Sequence, residues 1–181
     1  PIRSEYLIQE ADYIACHNKS FLNHYDLIGG LKKGGIFVLN CDFTPENIDQ
    51  QLPAELKRYM ASNSTHFYII DAERIASMIG LGNRINMIMQ AAFFKLANII
   101  PQDEAVRLLK ESIQKAYGRK GKNIVDMNNT AVDQGVGALV KIEVPASWAN
   151  APLEPIPVAN EPDFVHNIQR IMARNDGDSL P

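Results

Sequence analysis

The sequence predicts an α/β domain with a largely parallel sheet flanked by helices, followed by a Pro-rich C-terminal linker and one tail helix. Short apolar runs alternate along the chain with longer segments of helical spacing, which is the pattern of β–α units. The runs at 36–39 and 66–71 are almost continuously apolar, as strands buried on both faces of a parallel sheet are. Five of the ten prolines lie between Pro145 and Pro162, which predicts an extended linker.

The predicted elements follow from apolar spacing and from helix start and stop signals. Strands are predicted at residues 3–8, 11–16, 36–39, 66–71 and 140–144. Residues 32–35, Lys-Lys-Gly-Gly, predict a turn. Helices are predicted at 20–27, 45–52, 54–60, 72–79, 85–100, 103–117, 122–139 and 164–176, the last ended by Gly177. Thr44 is the expected cap of the second helix with Pro45 in its first turn, and Pro53 divides it from the third.

Composition limits the possible functions. A net charge of −3 over 181 residues gives no basic surface for nucleic acid. Arg84 and Lys95 interrupt the longest apolar stretch, so no membrane span is expected. Two cysteines, Cys16 and Cys41, cannot by themselves hold zinc or an iron–sulfur cluster, and so few cysteines predict a reducing, cytoplasmic setting. Since the chain starts at Pro1 without a methionine, we interpret it as a piece of a longer polypeptide.

The most distinctive stretch is G-L-G-N-R-I-N-M-I-M-Q at 80–90, at the start of a helix predicted to be buried on most of its circumference. Gly82 is expected to close the preceding helix in a left-handed conformation, with Asn83 as the cap of the next. Asn83, Asn86 and Gln90 then share one stripe of the helix, beside Arg84. A helix N-terminus with an adjacent arginine predicts an anion or phosphate site. In the alternative interpretation, the amides cap the helix and satisfy neighbouring backbone groups.

Other motifs carry weaker signals. The Gly-x-Gly at 80–82 lacks the third glycine of a dinucleotide fingerprint and follows a helix instead of a strand. The cationic run at 118–122 is typical of a solvated turn between helices. Cys16 and His17 end a predicted strand, but sequence neighbours rarely form a nucleophile pair, which favours a buried cysteine and a loop histidine. Trp148 is predicted to dock the linker, and catalysis by this chain alone is not supported.

Several motifs occur together and in order, and they carry a family resemblance. They are P-I-R-S-E-Y-L-I, A-D-Y-I-A-C-H-N, L-P-A-E-L-K-R-Y, G-L-G-N-R-I-N-M-I-M-Q-A-A-F-F-K-L-A-N-I-I-P, M-N-N-T-A-V-D and V-P-A-S-W-A-N-A. With these motifs the sequence strongly resembles the pyruvate:ferredoxin (flavodoxin) oxidoreductases over residues 1–151, and the resemblance extends into the tail.

The resemblance implies a large cytoplasmic enzyme of anaerobic metabolism. Such an enzyme decarboxylates pyruvate on thiamine diphosphate and Mg²⁺, passes electrons through [4Fe–4S] clusters to ferredoxin or flavodoxin, and forms acetyl-CoA from coenzyme A. It implies a homodimer whose domains pack on one another. The thiamine and cluster ligands are implied to lie in other domains, so coenzyme A is the one cofactor expected to contact this chain.

The resemblance also implies a domain organisation. Residues 1–144 correspond to the family's gamma-type domain, truncated at its N-terminus, 145–162 to the linker, and 163–181 to the start of the next segment. The gamma-type domain is associated with coenzyme A, so Asn83, Arg84 and Asn86 are expected to face the coenzyme. A purely structural module, an independent nucleotide-binding protein and an oxidoreductase for another 2-oxoacid remain alternatives.

Overall fold

The described part of the chain is built on a four-stranded sheet. A computed structural model describes residues 9–153, 162–173 and 177–181. The strands are β1 (Ala11–Cys16), β2 (Leu31–Asn40), β3 (His66–Ile70) and β4 (Val140–Ile142), in that order across the sheet. β1, β2 and β3 are parallel, and β4 is antiparallel to β3. The predicted α/β class with a largely parallel sheet is confirmed, whereas the strand predicted at 3–8 lies outside the described residues.

Helices cover both faces of the sheet. They are α1 (Ile48–Gln51), α2 (Ala54–Ser62), α3 (Ala72–Met78), α4 (Asn86–Ala97), α5 (Gln102–Tyr117), α6 (Lys122–Gly137) and α7 (Arg170–Ala173). Short 3₁₀ helices occupy Lys19–Asn23, Gly118–Lys120, Ala146–Asn150 and Gly177–Ser179, and a π-helical turn, Val165–Gln169, precedes α7. The division of the second predicted helix at Pro53 is confirmed.

The central strand β2 supplies residues to two cores. Phe37 and Leu39 pack on one face with α1, α2 and Trp148, whereas Val38 packs on the other with α3, α4 and α6. All three side chains have no exposed surface. Successive strand residues point to opposite faces, so a run apolar at every position fits only a strand covered on both sides.

The helices α4 and α6 approach closely at Gly135. A Cβ atom at this glycine would lie 2.7 Å from the carbonyl oxygen of Ile88 and 3.2 Å from Cβ of Ala91. The absence of a side chain at Gly135 is therefore what permits the contact. Together with α5 these helices enclose a third apolar cluster, which includes Ile113 and Val132.

Three local predictions are wrong. Residues 32–35 are not a turn but part of β2, where Gly34 has a φ of +74° and the pairing with β1 shifts register. The predicted helix at 20–27 shortens to the 3₁₀ helix Lys19–Asn23, which leaves Tyr25 half exposed. Pro45 lies in a turn, because Asn47, and not Thr44, is the residue that precedes α1.

The residues that follow β4 pack against the domain through Trp148 and Ala151. Trp148 is 5% exposed and packs, as its predicted docking role requires, in the core that Phe37 and Leu39 form with α1 and α2, which we call the α2-side core. Arg58 Nε donates a 2.7 Å hydrogen bond to the carbonyl oxygen of Ala151. Residues 154–161 of the predicted linker lie outside the described part. In the predicted tail helix Phe164 and Met172 are exposed, whereas Ile168 and Ile171 are half-buried.

Within the ranges that the structure describes, none of the helices has the length and apolar character needed to cross a bilayer.

Candidate functional site

The loop between α3 and α4 presents the most distinctive motif. Gly80 ends α3 with a φ of +83°, while Leu81 N–H bonds to Ala76 O at 2.8 Å and the Leu81 side chain is buried. This is a Schellman arrangement, in which the residue after the left-handed glycine returns to the core. The prediction that Gly82 closes α3 is therefore wrong, although Gly82 also has a positive φ, of +62°.

The first turn of α4 has no side-chain cap. The helix begins at Asn86 with Ile85 in the cap position, so the prediction of Asn83 as the cap is wrong. The side chains of Asn83, Arg84 and Asn86 are exposed, and none of them makes a hydrogen bond or ion pair with another described residue. The first turn contains no acidic residue.

The helix α4 is buried or half-buried on most of its circumference, as predicted: of its twelve residues only Asn86, Gln90 and Lys95 are exposed. Ile88, Met89, Ala91 and Ala92 form the buried side, while Gln90 is exposed like Asn86. The predicted stripe of amides therefore exists but faces solvent. Consequently it does not satisfy buried backbone groups, which the structural interpretation of these amides required.

The arrangement is suited to an anion. An uncapped α4 N-terminus leaves backbone N–H groups without intrahelical partners and carries the positive end of the helix dipole. The Arg84 guanidinium adds a full charge with five N–H donors, and the two neighbouring amides add uncharged donors. The three side chains can rearrange around a phosphate without first breaking a hydrogen bond or ion pair to another described residue.

A second polar region lies where the parallel strands end. Asn40, at the end of β2, is 3% exposed; its Nδ2 donates to His17 O and its Oδ1 accepts from Ala72 N–H, both at 2.9 Å. One side chain thus joins the ends of β1, β2 and β3. Sequence reasoning missed this residue, although an asparagine directly after the apolar run at 36–39 was a signal that could have found it.

A cavity of about 300 Å³ opens beside Asn40 and is lined by Asn18, Lys19, Asn40, Cys41, Asp42, Asp71 and Glu73. Lys19 Nζ lies 2.5 Å from Asp42 Oδ1, and this hydrogen bond raises the pKa of the lysine and lowers the pKa of the carboxyl. Asp71 caps α3 by accepting from Arg74 N–H at 3.0 Å. The cavity contains one cation among three carboxylates, which makes it a poor site for a polyphosphate.

The cysteines are structural. Burial raises the pKa of the Cys16 thiol, and it raises the pKa of Cys41 from 9.0 to about 11. Both are free and buried, which suppresses the reactive thiolate. His17 is exposed and the Cys16 thiol donates to Asn18 O, so the structure does not form a nucleophile pair. Among the described residues no group of three His, Cys, Asp or Glu side chains could hold a metal ion.

The remaining candidates lie elsewhere. A larger cavity of about 640 Å³ lies between the 3₁₀ helix Lys19–Asn23, α2 and Arg170, and neither cavity is lined by Asn83, Arg84 or Asn86. The cationic turn after α5 is exposed, and Lys120 Nζ lies 5.3 Å from the centre of the Tyr117 ring. This agrees with a solvated turn.

The fold and the loop define the class as an α/β domain with an open, mostly parallel sheet and a cationic, amide-rich loop at the start of a helix. A family model described as pyruvate ferredoxin/flavodoxin oxidoreductase matches residues 1–138. The chain belongs to this family, and the resemblance found in its motifs is confirmed.

Two relatives align over the whole chain. The chain is 51% identical over 181 residues to pyruvate-flavodoxin oxidoreductase from Enterobacter agglomerans and 51% identical over 182 residues to pyruvate:ferredoxin oxidoreductase from Moorella thermoacetica. It spans 15% and 16% of their lengths, respectively.

A solved structure shares the fold. It is the PORC subunit of pyruvate oxidoreductase from Thermotoga maritima, with a TM-score of 0.59 and 18% identity over 75% of this chain and 67% of that one. At this identity the likeness concerns the fold alone.

Proposed function

We propose that this chain is a segment of a pyruvate:ferredoxin or pyruvate:flavodoxin oxidoreductase. That enzyme oxidatively decarboxylates pyruvate with coenzyme A to acetyl-CoA and CO₂, and it reduces ferredoxin or flavodoxin. The identity of 51% along the entire chain to relatives with these names carries the proposal. A related oxidoreductase for another 2-oxoacid is the second candidate, because substrate choice lies outside this segment.

The cofactors of the whole enzyme are proposed from the family: thiamine diphosphate, Mg²⁺ and [4Fe–4S] clusters. The described residues do not fit a cluster of this kind, since it takes four thiolates and both cysteines of the chain are buried and protonated. We therefore assign no electron-transfer step to this segment. Its partners are the other domains of the enzyme, which we propose to be a cytoplasmic homodimer.

The role proposed for the segment is coenzyme A binding and domain assembly, with residues 1–144 as the gamma-type domain, 145–162 as the linker and 163–181 as the start of the next segment. Asn83, Arg84 and Asn86 are the proposed contacts. They are exposed, lack partners among the described residues and surround the uncapped start of α4. Coenzyme A carries phosphates, which match this donor set.

A purely structural module is the alternative for the segment. The buried contact of Trp148 with the α2-side core and the tight α4–α6 packing at Gly135 support an assembly role. The side chains at 83, 84 and 86 favour a binding role, because packing gives no reason for an arginine that lies beside a helix N-terminus and has no partner among the described residues.

The test is steady-state kinetics of the intact enzyme with Arg84→Gln and Asn86→Ala. Losing a charge-assisted contact of about 1.5–3 kcal/mol predicts a rise of about 10- to 100-fold in KM for coenzyme A for the arginine variant. Pyruvate decarboxylation without coenzyme A should keep its rate, since that step precedes the coenzyme.

The matched control is Lys33→Gln, which removes an exposed cation on β2 that has no described ion pair. Its kinetics should equal those of the unaltered enzyme. Unchanged coenzyme A kinetics in Arg84→Gln would overturn the binding role and leave the structural one. Absence of coenzyme-dependent pyruvate oxidation in the unaltered enzyme would overturn the proposed activity itself.

A further inference from the structure

The strand β1 is one edge of the described sheet, but apart from the charge of Asp12 it lacks the features that protect an edge. Natural edges are protected by short length, charge or a covering element. At the opposite edge β4 fits this description, with three residues, an exposed lysine at position 141 and Val140 42% exposed. By contrast, β1 has six residues and ends in the uncharged run Tyr13-Ile14-Ala15-Cys16.

Both faces of β1 are already packed. Ile14 and Cys16 contact the α2-side core, and Tyr13 and Ala15 contact the α4-side core. Yet Ile14 and Ala15 are only half-buried, whereas Phe37 and Val38, with which they pair on β2, have no exposed surface. The exposure that remains on β1 is therefore lateral, along the side that faces away from β2.

The backbone of β1 indicates which groups face that side. Ala11 N–H bonds to Gly30 O at 2.8 Å, and His17 O accepts from Asn40 Nδ2. The backbone N–H and C=O groups of the odd-numbered residues of β1 therefore point toward β2. Because N–H groups alternate in direction along a strand, the amides of Asp12, Ile14 and Cys16 face the open side. No strand among the described residues pairs with them.

A side chain of β1 also lacks its partner. The hydroxyl of Tyr13 is buried but has no hydrogen-bond partner among the described residues, and its ring stacks edge-on against Phe93 of α4 at 5.1 Å. Buried hydroxyls in folded proteins are nearly always paired. The orphaned hydroxyl and the open side of the strand thus both indicate that a further segment covers β1.

We infer that β1 is an interior strand in the assembled protein, and that an additional parallel strand from outside residues 1–181 of the same polypeptide pairs along Asp12–Cys16. This inference rests on the proposed function, under which the chain is part of a longer enzyme. The relatives are more than six times as long as the segment that they share with this chain, so they contain ample chain to supply the strand. A third of the structurally similar Thermotoga chain also lies outside the matched fold.

The chemistry of the occupant follows from its position. The added strand lies between two packed layers. Its side chains must therefore be apolar at consecutive positions, as in β2, so that both of its faces can be buried. A parallel orientation continues the β1–β2–β3 pattern, and purely parallel pairing is favoured where helices cover both faces. The main competitor is an antiparallel hairpin formed by residues 3–8, for which the sequence also predicts a strand.

The experiment is residue-resolved hydrogen exchange on the intact enzyme, with the central strand β2 as the internal control. Under the inference, the amides of Asp12, Ile14 and Cys16 exchange as slowly as those of Phe37–Leu39, retarded by at least about 10³-fold relative to the unfolded chain. Fast exchange at these three amides, with slow exchange at Tyr13 and Ala15, is the signature of an edge strand and would overturn the inference.

A map of the intact enzyme by electron cryo-microscopy identifies the occupant. A parallel strand from outside the 181 residues supports the inference, and an antiparallel strand formed by residues 3–8 overturns it. Neither readout depends on turnover. Pyruvate oxidation by the same preparation is measured separately, so failure of the strand pairing and failure of the proposed activity are distinguishable.

Discussion

Replacing Asn40 with alanine should destabilise the domain more than the position of this residue at the end of β2 suggests. The side chain is 3% exposed, donates to His17 O and accepts from Ala72 N–H, both at 2.9 Å. Ala72 itself is fully buried, so water cannot replace the lost acceptor. The change therefore removes two hydrogen bonds and leaves one buried donor unpaired.

The magnitude follows from these two contacts. A hydrogen bond contributes about 1 kcal/mol net, and an unpaired buried amide costs about 1–3 kcal/mol. Because the contact to His17 O is only partly buried, we expect a total loss of about 2–4 kcal/mol in the free energy of unfolding. For a domain of this size that loss corresponds to a decrease in Tm of about 5–15 °C.

The assay is urea unfolding of the 181-residue chain, followed by the fluorescence of Trp148, which is its one tryptophan and is buried. Asn23→Ala is the matched control, because Asn23 is exposed and its side chain makes no described hydrogen bond. The control should change stability by less than about 0.5 kcal/mol. An equally small effect of Asn40→Ala would refute the reasoning.

Two further predictions concern helix packing and pH. Gly135→Ala should cost about 1–3 kcal/mol of unfolding free energy, because its Cβ would lie 2.7 Å from Ile88 O, whereas Gly137→Ala, with nothing within 4 Å, should be neutral or slightly stabilising. Burial raises the pKa of Cys41 from 9.0 to about 11, so the folded state keeps a proton that the unfolded state loses first. The contribution of the protonated Cys41 thiol to stability is complete below pH 9 and is lost as the pH rises through 11. Urea titrations at a series of pH values should show a decrease of about 2–3 kcal/mol in the free energy of unfolding over this range.

Each of these predictions has an outcome that contradicts it. Equal stability of Gly135→Ala and Gly137→Ala would mean that α4 and α6 separate freely at their contact. For the thiol, Cys41→Ala should flatten the decline in stability between pH 9 and 11. An unchanged slope would assign the decline to other groups, of which Tyr13 is one, since burial raises its pKa to about 12.

The strands were accessible from sequence because their signal is local. The apolar runs at 36–39 and 66–71 can be buried at every position only in the interior of a sheet, and both became parallel neighbours. The amphipathic spacing of 103–117 likewise predicted α5 to within one residue. For these elements the burial of each side chain follows from the chain's own periodicity.

The start of α4 was mispredicted because two glycines, at 80 and 82, are equally able to adopt a positive φ. The choice depends on Leu81, whose buried side chain draws the chain back to the core immediately after Gly80. That contact is tertiary, and no local rule expresses it. The same shift leaves Asn83 in the loop instead of at the helix cap.

The sequence motif indicated where the candidate site lies, but it did not predict which of its side chains face solvent. The sequence placed Arg84 and Asn86 together, whereas the solvent-facing direction of Gln90 depends on how α4 rests on α6 and the sheet. Asn40 was missed because its two partners, His17 and Ala72, are 23 and 32 residues away along the chain. Pairings at such separation become visible only in the fold.

The packing of Trp148 on α2 determines where mechanical load enters the domain. Tension from residues beyond Ala151 is taken first by the Arg58 hydrogen bond and by the indole in its apolar surroundings, above which Lys57 Nζ lies 5.9 Å away. The short strand β4 lies upstream of this attachment, so a pull cannot peel it from β3 before the indole is extracted. A pull on the residues that follow Ala151 is therefore transmitted to α2 before it reaches β4.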